Sequence, residues 1–264
     1  MDFGLIIIGD EILSGKRADK HLPRVIELLG ARGLALAWAR YVGDDPARIT
    51  AELRAAFAGG EAVFSCGGIG ATPDDHTRQC AAAALGRPLA LHPQARELIL
   101  QRVREMAAEH GTPVAEDHPD TLRRLEMGAF PQGAEIVPNP YNRIPGFSVG
   151  DVHFVPGFPV MAHPMIEWLL DTRYAPLHRT AARQERSVIV YGAMEATLTP
   201  LMEAIEARFP GVKVFSLPSV DHPQHGRHIE LGVKGAPALL DAAYPALIEG
   251  LANYPARLGP QLVR

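Results

Sequence analysis

An α/β fold, with a mostly parallel sheet between two helical layers, is predicted for this 264-residue chain by three observations. Short apolar runs alternate with longer amphipathic ones, in the order strand–helix–strand–helix–strand–helix over residues 3–85. The runs 3–8 and 61–66 are apolar almost throughout rather than alternating, which marks strands covered on both faces. Each ends in a turn rich in Gly or Asp, at the sheet edge where open α/β folds hold their ligands.

The elements follow in order. Phe3–Ile8 reads as a central strand ending in Gly9-Asp10-Glu11-Ile12-Leu13-Ser14-Gly15-Lys16, a turn that carries acids. Asp19 can cap a helix to about Arg32, with Leu22, Val25, Ile26 and Leu29 at core spacing. Leu34 to Val42 is a second strand, and Asp45-Pro46 opens the next helix as N-cap and N1; Asp44 has no structural role that the sequence reveals. After the third strand comes Gly67 to Thr77, the stretch around which the chain is organised. Gly67, Gly68 and Gly70 permit positive φ and close approach of a ligand to the backbone. Thr72 as N-cap, Pro73 at N1 and Asp75 at N3 predict a capped helix whose free N–H groups form an anion site. Two acids there, Asp74 and Asp75, exceed what one cap needs and suggest a cation between them and a diphosphate.

Gln94 to His110 is a long amphipathic helix, and Pro113 to Asp120 is irregular. Ala134–Val137 is a strand before the turn-dense loop Pro138–Gly146; Asp151–Val155 is the next, running into Pro156-Gly157-Phe158-Pro159 and a helix from Met161 to Leu170. Asp171 to Arg186 is polar and reads as a hinge. Beyond it, strands at 187–191, 212–217 and 228–233 and helices at 199–209 and 237–251 make a small α+β subdomain. The expected boundaries are therefore 1–172 and 173–264. His222, His225 and His228 fall in a turn of that subdomain, which reads as an exposed polar loop rather than a metal site.

Composition bounds the function. The chain is 47% hydrophobic and 21% charged, with a net charge of −4. Neither nucleic acid nor a membrane surface is favoured by that balance. No apolar stretch approaches a membrane span, and no basic segment precedes the first strand, so a cytoplasmic protein without a signal peptide is expected. Cys66 and Cys80 are read as free core thiols.

Four stretches together carry a resemblance: Gly9–Gly15, Gly43-Asp44-Asp45, the Gly67–Thr77 loop, and Pro138–Gly146 paired with Val155–Pro159. In them the chain resembles the MoaB/Mog-type molybdopterin-binding domain family, and within it the amino-terminal region of the competence/damage-inducible CinA proteins. The resemblance implies a three-layer sandwich binding a molybdopterin-type pterin or a nucleotide through a phosphate tail. It further implies a metal-dependent ADP-ribose pyrophosphatase activity and, in many relatives, an amidase domain behind this region; a stand-alone form is expected here. Three departures stand out: Ala71 occupies a family proline, Val160-Met161-Ala162 replace Ser-Glu-Met, and Asn142-Arg143 replace Gly-Thr. They remove an acid and add a guanidinium able to fork onto phosphate, shifting the site towards anion binding.

The expected site follows. Gly67, Gly68, Ile69, Gly70, Thr72, Asn139, Arg143, Gly146, Pro156 and Gly157 bind the ligand and its phosphate. Asp74 and Asp75, with Glu11, hold Mg²⁺ or a similar ion, and Asp44, Asp74 and Asp75 are the candidate catalytic acids. A non-catalytic carrier or sensor using the same loops is the alternative. Association through a two-fold interface, as a homodimer, is expected because closed homo-oligomers dominate soluble enzymes.

Overall fold

The computed structural model describes residues 1–111, 116–178 and 184–263. Residues 113–115 of the expected irregular stretch and 179–183 of the expected hinge lie outside these. Two compact units are present, Met1–His178 and Arg179–Arg264.

In the first unit the chain runs β1 (Phe3–Ile8), α1 (Asp10–Leu13), α2 (His21–Gly30), β2 (Leu36–Val42), α3 (Pro46–Gly59) and β3 (Ala62–Cys66). It continues through α4 (Thr77–Leu85), β4 (Leu89–Leu91), α5 (Pro93–His110), α6 (Pro119–Glu126) and β5 (Ala129–Pro131). β6 (Glu135–Val137), β7 (Gly146–Val149), β8 (Val152–Val155) and α7 (Pro159–Thr172) complete it. The main sheet has the order β2-β1-β3-β8-β7-β6. β2, β1, β3 and β8 are mutually parallel, while β7 runs antiparallel to both its neighbours. The mostly parallel α/β sheet expected from the sequence is therefore what forms.

Side-chain alternation along β1 makes the three layers. Phe3, Leu5 and Ile7 pack on one face against Val25, Leu28 and Leu29 of α2 and Met165, Ile166 and Leu169 of α7. Ile6 and Ile8 point the other way, onto Ile49 and Leu53 of α3 and Cys80 and Ala81 of α4. Both cysteines are free and buried. Phe130, Phe147 and Phe154 stack in sequence, 4.6 and 4.3 Å between centroids. Each such ring contributes about 1.5–3 kcal/mol by burial alone.

Several elements escape the sequence reading. β7 opens at Gly146, the last residue of the expected loop, and runs over residues given no element, because its four residues follow a turn-dense stretch and alternate too briefly to declare themselves. Helix α6 begins within the stretch expected to be irregular, opened by Pro119 at N1. β4 and β5 pair as a separate two-stranded sheet. Elsewhere local chemistry holds: Asp45 accepts from the Arg48 N–H at 2.8 Å, and Asp19 accepts from His21 and Leu22 at 2.7 and 3.0 Å.

Away from the carboxyl edge of the sheet, a buried relay joins β7 and β8 to the segment after α7. Ser148 Oγ lies 2.7 Å from His153 Nδ1, and His153 Nε2 lies 2.6 Å from the Tyr174 hydroxyl, which donates to Asp151 at 3.0 Å. Burial pushes the His153 imidazole down to a pKa of about 3, with the Arg173 charge acting the same way.

The second unit runs β9 (Gln184–Tyr191), α8 (Glu195–Arg208), β10 (Lys213–His222), β11 (Gly226–Gly235), α9 (Pro237–Leu251) and β12 (Arg257–Val263). Its antiparallel sheet has the order β10-β11-β9-β12, a ferredoxin-like βαββαβ arrangement. Val188, Val190, Leu231 and Val233 face Leu198, Ile205, Leu240 and Leu247 of the helices. The three histidines are not a loose polar loop. Their rings pack 4.9 to 5.6 Å apart, and His228 is buried. His222 Nδ1 accepts from two backbone N–H groups and His228 Nδ1 faces the Gly226 carbonyl, so these nitrogens serve the hairpin.

Candidate functional site

Parallel strands deliver their following loops to one edge. The turns after β1, β2, β3, β6 and β8 all leave there, and a cavity of about 690 Å³ is lined by residues from every one of them.

The Gly67 loop forms its floor. Gly67 has φ of +107°, gives its N–H to the Val155 carbonyl at 3.0 Å and receives the Thr77 hydroxyl on its own carbonyl at 3.0 Å. Gly68 accepts the Thr77 N–H at 2.9 Å. Those two contacts put the start of α4 at Thr77, which corrects the expectation of a helix capped at Thr72. Thr72 and Asp75 instead close a separate turn. Asp75 N donates to the Thr72 carbonyl at 3.0 Å, while Asp75 Oδ2 accepts the Thr72 N–H at 2.8 Å and its hydroxyl at 2.5 Å. Only half of the expected capping box forms, Asp75 Oδ2 on the Thr72 N–H, while the Thr72 hydroxyl donates rather than accepts, and the helix waits for the next pinned residue. Beneath the loop, buried Arg78 donates to the Gly70 carbonyl at 2.6 Å and to the Glu126 carbonyl, and burial lowers its pKa from the ordinary guanidinium value. With the loop so fixed, the N–H groups of Gly68, Ile69, Gly70 and Ala71 have no partner among the described residues.

The other walls are built by short-range clasps. Asp44 Oδ2 accepts the Asp10 N–H at 2.9 Å and Asp10 Oδ1 accepts the Asp44 N–H at 3.2 Å, tying the β1 and β2 loops together. This gives Asp44 the structural role that the sequence did not reveal. Burial, then the neighbouring Asp10, Glu11 and Asp74, hold its carboxyl above the usual range. Asn139 is buried and organises its own loop: its Nδ2 donates to Asn142 Oδ1 and the Ile144 carbonyl, and its Oδ1 accepts the Tyr141 N–H. Gly157 lies against Gly67, with His21 Nε2 3.0 Å from its carbonyl.

Of the expected residues, Gly67, Gly68, Ile69, Gly70, Thr72, Asn139, Pro156, Gly157, Glu11, Asp44, Asp74 and Asp75 line this cavity; Arg143 and Gly146 do not. Arg143 sits at φ +64° with its guanidinium 2.7 Å from Glu105 on α5. Gly146 is a packing glycine of β7, where a Cβ would lie 2.2 Å from the Phe154 carbonyl oxygen. The cations lining the cavity are instead Lys16 and Arg17, neither of them ion-paired among the described residues. Sequence reasoning passed over them although they sit in the same turn as Asp10 and Glu11. Met127, Ile144, Pro145, Phe158 and Met161 line the same cavity and give it an apolar wall.

A divalent ion needs convergent oxygens. Among the described residues no group of three His, Cys, Asp or Glu side chains is gathered to hold one, so Glu11, Asp74 and Asp75 are not brought together as expected. The Thr72 contacts account for Asp75. Asp75→Asn, which keeps an oxygen for Thr72, is expected to cost about 1 kcal/mol or less in urea unfolding; Asp75→Ala, which keeps none, should cost distinctly more. Equal losses would show that the Thr72 contacts are not what Asp75 supplies.

Residues 4–176 match the family described as probable molybdopterin binding domain. A CinA-like protein of Syntrophotalea carbinolica is 31% identical over 223 residues, covering 79% of this chain and 51% of its own length. The chain thus spans about half of that relative. A Pyrobaculum calidifontis protein with no functional description is 31% identical over 259 residues, 93% of this chain and 94% of its own. Among solved structures, CinA of Thermoplasma acidophilum, described as of unknown function, aligns with a TM-score of 0.54 at 24% identity over 65% of this chain and 98% of its own. That likeness is one of fold.

Proposed function

The chain belongs to the probable molybdopterin binding domain family, and from that premise we propose that its cavity binds a phosphate-bearing pterin or nucleotide. The observation that carries this is the run of N–H groups from Gly68 to Ala71, unpartnered among the described residues, in a loop that lines the same cavity as Lys16 and Arg17, which are unpaired among those residues. Backbone N–H groups beside cations are the donor set for a phosphate or diphosphate. The apolar wall of Met127, Ile144, Pro145 and Met161 suits a flat ring system, and the volume is in the range of small-molecule sites. Asp44, Asp74 and Glu11 at the mouth would receive ring or sugar donors. Two-fold self-association belongs to the same proposal.

Calorimetric titration with ADP-ribose and with a pterin phosphate, each with Mg²⁺ and with chelator, tests the reading. Binding is expected to survive chelation. Lys16→Ala with Arg17→Ala should weaken it by about tenfold or more, the size of losing one to two charge-assisted contacts. Wild-type affinity in the double variant would remove the phosphate from this end of the cavity. Hydrolysis of the ligand's diphosphate would be a further step at this site, with Asp44 and its neighbours Glu11 and Asp74 the candidate groups. Among the described residues the acids do not converge on a metal ion; release of AMP from ADP-ribose on adding Mg²⁺ is the assay that would establish turnover.

A further inference from the structure

We propose that His21 is a positioning residue of the cavity: its Nε2–H fixes the Gly157 carbonyl and so turns the Phe158 N–H towards the bound anion. The inference rests on the phosphate-binding reading above and names a donor that reading does not include.

His21 is 4% exposed, with Nε2 3.0 Å from the Gly157 oxygen. A carbonyl only accepts, so Nε2 carries the hydrogen and Nδ1 is bare. That Nδ1 is buried and has no partner among the described residues, an arrangement that costs stability and that packing alone would not select. The first turn of α2 and the His21 ring are held from several elements. Asp19 accepts the His21 and Leu22 N–H groups and also the Tyr41 hydroxyl, at 2.9 Å, from β2. His163 of α7 packs edge-on against the ring, 5.3 Å between centroids, with its own Nε2 buried and unpartnered among the described residues. On its far side Gly157 lies against Gly67, where a Cβ on Gly157 would be 3.4 Å from the Gly67 Cα.

The Gly157–Phe158 peptide is trans, and in a trans peptide the C=O and the following N–H point in opposite directions. With the carbonyl held by His21, the Phe158 N–H is directed away from α2. It has no partner among the described residues, and Phe158 lines the cavity. Phe158 is also the residue before the first turn of α7, so this N–H sits at the positive end of a 14-residue helix. His21 thus adds a further donor, the Phe158 N–H, to those of the Gly68–Ala71 run in the same cavity, and a diphosphate taking both is the chemistry that fits.

The test uses inorganic pyrophosphate titrated into wild type, His21→Phe, which keeps a ring without the donor, and His21→Gln, which restores a donor at similar reach. His21→Phe is expected to raise the Kd about tenfold below its melting range, and His21→Gln to return it to within about threefold of wild type. A role in packing alone would lower Tm in both variants and leave Kd unchanged. An ¹⁵N spectrum of the free protein should show the His21 proton on Nε2; finding it on Nδ1 overturns the inference. Unchanged affinity in His21→Phe overturns it too and leaves the cavity reading intact. Failure of the wild type to bind pyrophosphate ends both.

Discussion

Gly67→Ala is expected to destabilise the protein by about 2–5 kcal/mol and to abolish pyrophosphate binding, the sum of a strained backbone and a steric clash. The residue holds φ at +107°, and a Cβ there would lie 2.2 Å from the Ile8 carbonyl oxygen, an atom of the central strand. Strand β1 cannot retreat, because Ile6 and Ile8 on one face and Leu5 and Ile7 on the other are packed against helices. The strain would therefore be relieved by the loop, whose Gly67 N–H and carbonyl are both committed to Val155 and Thr77. Gly86→Ala is the control, with φ of +63° and nothing within 4 Å of the added Cβ. It carries only the conformational cost, about 1 kcal/mol. Urea unfolding of the two variants separates the effects, and equal losses would show that the close approach to Ile8 yields.

The layered fold was legible because continuous apolar runs and Gly/Asp turns are local signals. Asp45 and Asp19 behave as their neighbours dictate, with Pro46 and the apolar spacing of α2 in support. β7 was not legible, since a four-residue strand is defined by its partners rather than by itself. The start of α4 was misjudged for a related reason. Thr72, Pro73 and Asp75 carry the local pattern of a cap, yet the Gly68 carbonyl, held by tertiary structure, takes the Thr77 N–H and decides where the helix begins.

The candidate site divides in the same way. Its glycines and carboxylates stand in the turns that the sequence marked, and those turns meet at one cavity. Which charges face that cavity depends on side-chain reach. Arg143 had the right chemistry for phosphate, but Glu105 lies across on α5 and holds it. Lys16 and Arg17 came from a turn read for its acids. Arg78, on the Glu126 carbonyl, and His21, on that of Gly157, act on backbone far away in sequence, and no motif encodes such contacts.

The stability of the wild type is expected to fall steeply on acidification below about pH 6.5, with His153 a principal cause. Asp151 can only accept, so the Tyr174 hydroxyl donates to it and its oxygen receives the His153 Nε2–H. His153 Nδ1 is then bare and takes the Ser148 hydroxyl proton. Every proton in the relay is assigned, and the ring is neutral. Its folded pKa of about 3 lies below the unfolded value of 6.5, so between those limits the unfolded chain binds one proton more. Stability from this group is complete above pH 6.5 and drains as pH falls towards 3, with a slope approaching about 1.4 kcal/mol per pH unit. His21 and His163 are also lowered by burial and act in the same direction, so the wild-type slope alone does not isolate His153. His153→Gln does, because the amide can still accept from Ser148 and donate to Tyr174 but does not titrate. At pH 7 the variant should be less stable by about 1–3 kcal/mol from imperfect geometry. The gap should close and then reverse by about pH 4, as the wild type alone bears the cost of holding a buried imidazole neutral. Urea unfolding at pH 7, 6, 5 and 4 reads the crossing directly; a gap constant across that range would mean that His153 titrates alike in the folded and unfolded chain.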